Sequence, residues 1–76
     1  MKKQNIWTVP CNGGWAVKKE GVQKPIEIFE TKANAVYFGD QAAKLLHSEH
    51  TILKSNGQIQ DKKSFGNDPY PPKDKK

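Results

Sequence analysis

The residues of this chain that could do chemistry are few and scattered. His47 and His50 stand three apart near the end of an amphipathic stretch, and Cys11 is the single cysteine. A structural zinc site needs four ligands, commonly in two close pairs, and no second pair accompanies these three residues. Cys11 has Lys18 and Lys19 not far off in sequence, which could favour a thiolate. An activated nucleophile also needs a base and a pocket for the developing anion, and neither is legible. Glu20, Glu27, Glu30, Asp40, Glu49, Asp61, Asp68 and Asp74 are spread along the chain with no pair inside an apolar stretch that would raise a pKa for acid catalysis. Gly13-Gly14 lacks the spacing and the following helix of a phosphate loop. The reading is non-enzymatic, with no cofactor, no metal and no small-molecule substrate expected.

The remaining chemistry is lysine. All thirteen basic residues are Lys and the formal net charge is +5. Lys2, Lys3, Lys73, Lys75 and Lys76 less Asp74 place +4 of this in the two tails, leaving +1 for Gln4 to Pro72. Without arginine the chain lacks the planar fork that reads guanine edges and grips phosphate in two places. Sequence-nonspecific attraction to nucleic acid through Lys18, Lys19, Lys62, Lys63 and the tails therefore stands as the alternative function. It would weaken steeply with salt, because each phosphate contact releases counterions.

The elements that must carry these residues follow from periodicity. Ile6-Trp7-Thr8-Val9 and Trp15-Ala16-Val17-Lys18 alternate around Asn12-Gly13-Gly14, which predicts a hairpin. A turn near Glu20-Gly21 leads to a third strand, Ile26-Glu27-Ile28-Phe29-Glu30. Thr31 is placed to cap a helix with an apolar stripe of Ala35, Phe38, Ala42 and Leu45 or Leu46. Its solvated face would hold Lys32, Asn34, Asp40, Gln41, Lys44 and Ser48. Gly39 inside that helix costs about 1 kcal/mol relative to Ala unless it lets the helix approach the sheet closely, which is the reading taken. His50 is expected to begin the next loop. Thr51-Ile52-Leu53-Lys54 and Gln58-Ile59-Gln60-Asp61 flank Asn56-Gly57, the strongest short hairpin signal. A two-residue loop there would put Ile52 and Ile59 on one face. After Ser64 the prolines end regular pairing.

The sequence thus predicts an α+β fold, an antiparallel sheet in β-β-β-α-β-β order packed on one amphipathic helix, with a Pro-rich arm. One domain should span residues 1–72, including the arm 65–72, with the Lys-rich end 73–76 disordered. Core candidates are Trp15, Val17, Ile28 or Phe29, Ala35, Phe38, Ala42, Leu45, Ile52 and Ile59. If Ile26 and Ile28 face the helix, Phe29 points away, and the reverse choice exposes both isoleucines. Either way some apolar area lies on the outer face. It is open to a protein partner, to a second copy, or to cover by Phe65, Tyr70 and the prolines. The expected function is a binding module acting in protein–protein interaction or self-association. Phe29, Phe65 and Tyr70 are its candidate contacts, beside the four lysines. The N-terminal residues lack an apolar run of signal-peptide length and no stretch approaches a membrane span, so a cytoplasmic location is expected.

The motifs Gly14-Trp15-Ala16-Val17-Lys18-Lys19, Phe29-Glu30-Thr31-Lys32-Ala33-Asn34-Ala35, Gly57-Gln58-Ile59-Gln60 and Phe65-Gly66-Asn67-Asp68-Pro69-Tyr70-Pro71-Pro72, in this order, resemble a family of small bacterial proteins known as a domain of unknown function, number 2188. The resemblance covers nearly the whole chain and implies no activity, cofactor or catalytic residue. The first half, in the spacing of Trp15, Phe29-Glu30-Thr31-Lys32 and Ala35, is also similar to the sheet-plus-helix DNA-binding domain of phage-type integrases. It departs from that pattern in its lack of strand arginines and its second hairpin.

Overall fold

In a computed structural model, which describes residues 4–65, the chain forms β1 (Ile6–Cys11), β2 (Gly14–Lys19), β3 (Glu27–Phe29), α1 (Lys32–Leu46), β4 (Glu49–Leu53) and β5 (Ile59–Ser64). The order is the predicted β-β-β-α-β-β, and one helix packs on one face of a five-stranded sheet with spatial order β3-β2-β1-β4-β5. The arm beyond Phe65, with Tyr70 and the Lys-rich end, lies outside the described residues.

The sheet is mixed rather than antiparallel. Ile6, Trp7 and Thr8 pair in parallel with His50, Thr51 and Ile52, whereas every other neighbouring pair is antiparallel. The helix is the cause. It starts after Phe29, whose strand neighbours place it level with the end of β1, and its 15 residues run about 22 Å back toward Ile6. The chain is thereby delivered to the start of β1, where a strand laid on its free edge must run the same way. Asn5 ties that end together, accepting from the Glu49 amide at 3.0 Å and donating to the Glu20 carboxylate at 2.8 Å.

The helix begins as expected. Thr31 is its N-cap, and its hydroxyl accepts from the Asn34 amide at 3.3 Å. At the other end His47 takes the left-handed conformation and donates its amide to the Lys44 carbonyl at 3.2 Å. The buried seam is Ala35, Gly39 and Ala43, spaced by four, flanked by the half-buried Phe38 and Ala42. Leu45, expected in the core, is 82% exposed. It lies two residues past Ala43, about 200° round the helix from the seam. A seam of small residues, not a stripe of large ones, sets the helix close to the sheet. A Cβ on Gly39 would fall 2.5 Å from two atoms of the His50 ring and 3.0 Å from the Thr8 hydroxyl oxygen. The close-approach reading of this glycine is thereby met.

On the sheet side Ile6 and Val17 are buried against this seam, and Trp15, Phe29 and Phe65 pack around them. Phe29 lies against Phe38 with ring centroids 5.3 Å apart, and Ile28 is left exposed on the far face. Of the two sequence alternatives the structure therefore takes the one that turns the isoleucines outward.

The last hairpin differs from the two-residue expectation. The Lys54 amide donates to the Gln58 carbonyl at 2.7 Å and the Gly57 amide to the Lys54 carbonyl at 2.9 Å, so Ser55-Asn56-Gly57 form a three-residue loop with Gly57 at φ 91°. This is a turn closed by a left-handed residue, the usual solution for a loop of that length. Leu53 pairs with Ile59 and Ile52 with Asp61, with an irregularity between. One residue of slip exchanges the faces of a strand. Ile59, expected beside Ile52 in the core, sits on the outer face at 55% exposure, while Ile52 is buried.

Candidate functional site

The helix-facing side holds the densest polar chemistry in the fold. Thr8 Oγ1 is 2.6 Å from His50 Nε2, His50 Nδ1 is 2.7 Å from Asp40 Oδ1, and Lys63 Nζ is 2.9 Å from Asp40 Oδ2. The four residues come from β1, β4, α1 and β5. An ionised carboxylate only accepts, so Nδ1–H donates to Asp40, while the Thr8 hydroxyl, which can donate or accept, pairs with Nε2. Burial alone would push the Asp40 carboxyl up. The hydrogen bonds from His50 and Lys63, with the nearby positive charge of Lys63, outweigh it and hold the group below the usual carboxylate range.

The order hydroxyl, imidazole, carboxylate is that of a catalytic triad. Geometry decides against that use, because Thr8 and His50 are both 0% exposed and Gly39 of the helix presses on the imidazole. A nucleophile must reach a substrate atom at about 3 Å, and here the helix occupies that space. The chain of bonds is a clasp between four elements.

Three expectations are corrected at this point. Asp40 and Ser48, assigned to the solvated face of the helix, are half-buried and fully buried respectively. His50 lies in β4 rather than in a loop. The period-2 signal was available, since His50 and Ile52 alternate onto one face and Ile52 was recognised as core. Gly39 marked where the helix comes close, and the neighbouring Asp40 was the polar group best placed to follow it in.

The outer face is the second candidate. Register places Ile28, Ala16 and Val9 side by side on β3, β2 and β1, and Leu53 and Ile59 side by side on β4 and β5. Val9 and Leu53, one step beyond the last parallel pair, line a shared open hollow of about 320 Å³ with Trp7, Lys18, Glu20 and Gly21. An aliphatic row thus crosses the whole sheet and ends on both edges in an exposed isoleucine, with Ile28 at 57%. The next row reads Lys18, Trp7, Thr51, Lys62. Lys62 Nζ is 4.0 Å from the Glu49 carboxylate.

The sequence-derived contact residues are divided by the sheet. Lys18 and Lys62 lie on the outer face. Lys63 turns inward to Asp40, and Lys19 shares the face of Ile6. Phe29 and Phe65 are on the helix side, where the Lys44 ammonium stands 5.8 Å from the Phe65 ring centroid and the Phe65 amide donates to Ser48. Trp15 is also on that side, with Lys32 Nζ 4.9 Å from its ring centroid. Tyr70 lies outside the described residues. Trp7, Val9, Leu53 and Ile59 were not singled out for the outer surface. Trp7 and Val9 could have been found from alternation, being the strand partners out of phase with Ile6 and Thr8.

Among the described residues no group of three or more His, Cys, Asp or Glu is placed to hold a metal ion, and no helix is long and apolar enough to cross a membrane. Fold and site define a small α+β domain in which one helix is clasped to a five-stranded mixed sheet and the opposite sheet face carries an aliphatic row beside polar and charged residues. The chain belongs to the domain-of-unknown-function family DUF2188, described as an uncharacterized protein conserved in bacteria, whose family model matches residues 6–65. No curated protein and no solved structure matches the chain, so the resemblance of its first half to integrase domains gains no support.

Proposed function

We propose that this protein is a non-enzymatic binding module of the bacterial cytoplasm, and that it engages a protein partner through the outer face of its sheet. The observation that supports this is the aliphatic row from Ile28 to Ile59, with Trp7 beside it. Half-solvated strands ordinarily present polar residues outward, whereas here one level of the outer face carries an apolar side chain on each of the five strands, beside a row in which Lys18, Thr51 and Lys62 accompany Trp7. A contiguous apolar patch on a soluble domain marks an interaction surface. The charges around it, Lys18 and Lys62 against Glu20 and Glu49, balance, and a balanced face offers little to a phosphate backbone.

The test is capture by the immobilised full chain, wild type against Val9→Lys, with a parallel titration of DNA followed by Trp7 fluorescence at low and moderate salt. A protein retained by the wild type and lost with Val9→Lys supports the reading. Equal retention by both overturns it, as does saturable DNA binding that collapses as salt rises.

A further inference from the structure

We infer that the occupant of the outer face is a second copy of this chain, laid face to face about a two-fold axis running along β1. This rests on the reading of the outer face as a binding surface and adds the identity of the partner.

The argument is the order of residues across the sheet. From edge to edge the row reads Ile28, Ala16, Val9, Leu53, Ile59, and β1 is the middle strand. Rotation by 180° about β1 exchanges β2 with β4 and β3 with β5. It lays Val9 on Val9, sets Leu53 of the second copy over the recessed Ala16, which is only 5% exposed, and lays Ile28 on its Ile59. Small against large is the arrangement that fills the space between two packed layers. The outermost contacts join the most exposed members of the row, Ile28 and Ile59. An isologous contact requires a patch that matches itself when turned over, and this row does so.

Charge permits it as well. Lys18 and Lys62 are offset by Glu20 and Glu49, so two copies meet without a net field of one sign. The same rotation brings Glu20 toward Glu49 of the second copy at the solvated rim, where Lys62, 4.0 Å from Glu49, supplies the counter-charge.

Area sets the expected strength. Strands of 6, 6, 3, 5 and 6 residues, at about 3.3 Å per residue and about 4.8 Å apart, cover roughly 400 Å² in projection, and side-chain relief brings the accessible area up to at most the roughly 800 Å² per partner of a standard interface. That is the low end for a specific contact, so the dimer should be concentration-dependent.

The test is sedimentation velocity of the full chain from about 1 μM to about 1 mM, a range that spans affinities of this class. The wild type should pass from 8.6 kDa to twice that mass. Ile59→Lys and Ile28→Glu, both at exposed positions that leave the core intact, should each weaken the dimer about tenfold or more by burying an unpaired charge. The double variant should regain most of the lost affinity and become salt-sensitive. Ile28 and Ile59 lie on opposite edges of one sheet, about 19 Å apart across four strand spacings, so only a contact between copies can account for that recovery. A wild type that stays monomeric throughout overturns the inference. So does a dimer indifferent to both single changes, or a double variant as weak as the singles. If the wild type is monomeric and Val9→Lys still abolishes capture of another protein, the outer-face reading stands and the second copy alone is ruled out.

Discussion

Replacing Gly39 with Ala tests the central packing argument because two effects of opposite sign compete at that position. Helix propensity alone favours Ala by about 1 kcal/mol in a helix interior. Packing opposes it, since the added Cβ would lie 2.5 Å from the Cε1 and Nε2 atoms of His50 and 3.0 Å from the Thr8 hydroxyl oxygen. Carbon contacts settle at about 3.5–4.0 Å, so the helix must lift or the ring must move by about 1 Å. The ring is held on both nitrogens and has no exposed side toward which to yield. Overpacking of this kind costs about 1–3 kcal/mol, and loosening the Thr8–His50 hydrogen bond adds about 1 kcal/mol. The net expectation is about 2 kcal/mol of destabilisation, which lowers Tm by about 8–16 °C in a domain of this size. Urea and thermal unfolding followed by far-UV circular dichroism would measure it. A Gly39→Ala protein as stable as the wild type, or more stable, would refute the close approach of helix and clasp.

Three further changes bear on the same structure. Thr8→Val keeps the volume but strands His50 Nε2 in a dry site, and should cost about 1–3 kcal/mol in urea unfolding; a neutral result would remove Thr8 from the clasp. Because the folded pKa of Asp40 lies below its unfolded value, its contribution is present above about pH 4 and fades as the pH falls through the folded value. The stability gap between wild type and Asp40→Asn should accordingly shrink from pH 6 to pH 3, and a gap constant over that range would count against the pairing. Ile52→Ala should cost about 2–4 kcal/mol as a core truncation whereas Ile59→Ala should cost under about 0.5 kcal/mol; equal costs would show that the last hairpin is in the other register.

Much of the fold is legible in the residues. Alternation around Asn12-Gly13 fixes the first hairpin, Thr31 announces the helix, and Gly39 identifies the contact between helix and sheet. What escaped depends on long-range geometry. The parallel pairing of β1 with β4 follows from the length of the helix and the edge left free, neither of which is written in any local motif. The face of Ile59 turns on whether the loop holds two residues or three, and Ser55-Asn56-Gly57 suits both lengths. Asp40 reads as surface because aspartate usually is. Only the arrival of His50 and Lys63, 10 and 23 positions later in the chain, makes its partial burial tolerable. The outer-face row was hidden for the same reason, since five strands contribute one or two residues each.

The clasp also bears on the order in which the molecule is assembled. Its bonds join positions separated by up to 42 residues, so no part of it can close until the helix has crossed the sheet and β4 has found β1. Contacts that demand such long loop closures are made late, after the first hairpin and the helix are in place. Interactions absent from the transition state act on the way out of the native state rather than on the way in. Thr8, Asp40 and His50 should therefore govern how long a folded molecule persists more than how quickly it forms, visible as a steeper change in the unfolding limb than in the folding limb. In a domain this small, a latch that closes last gives the native state a lifetime its modest core would not supply alone.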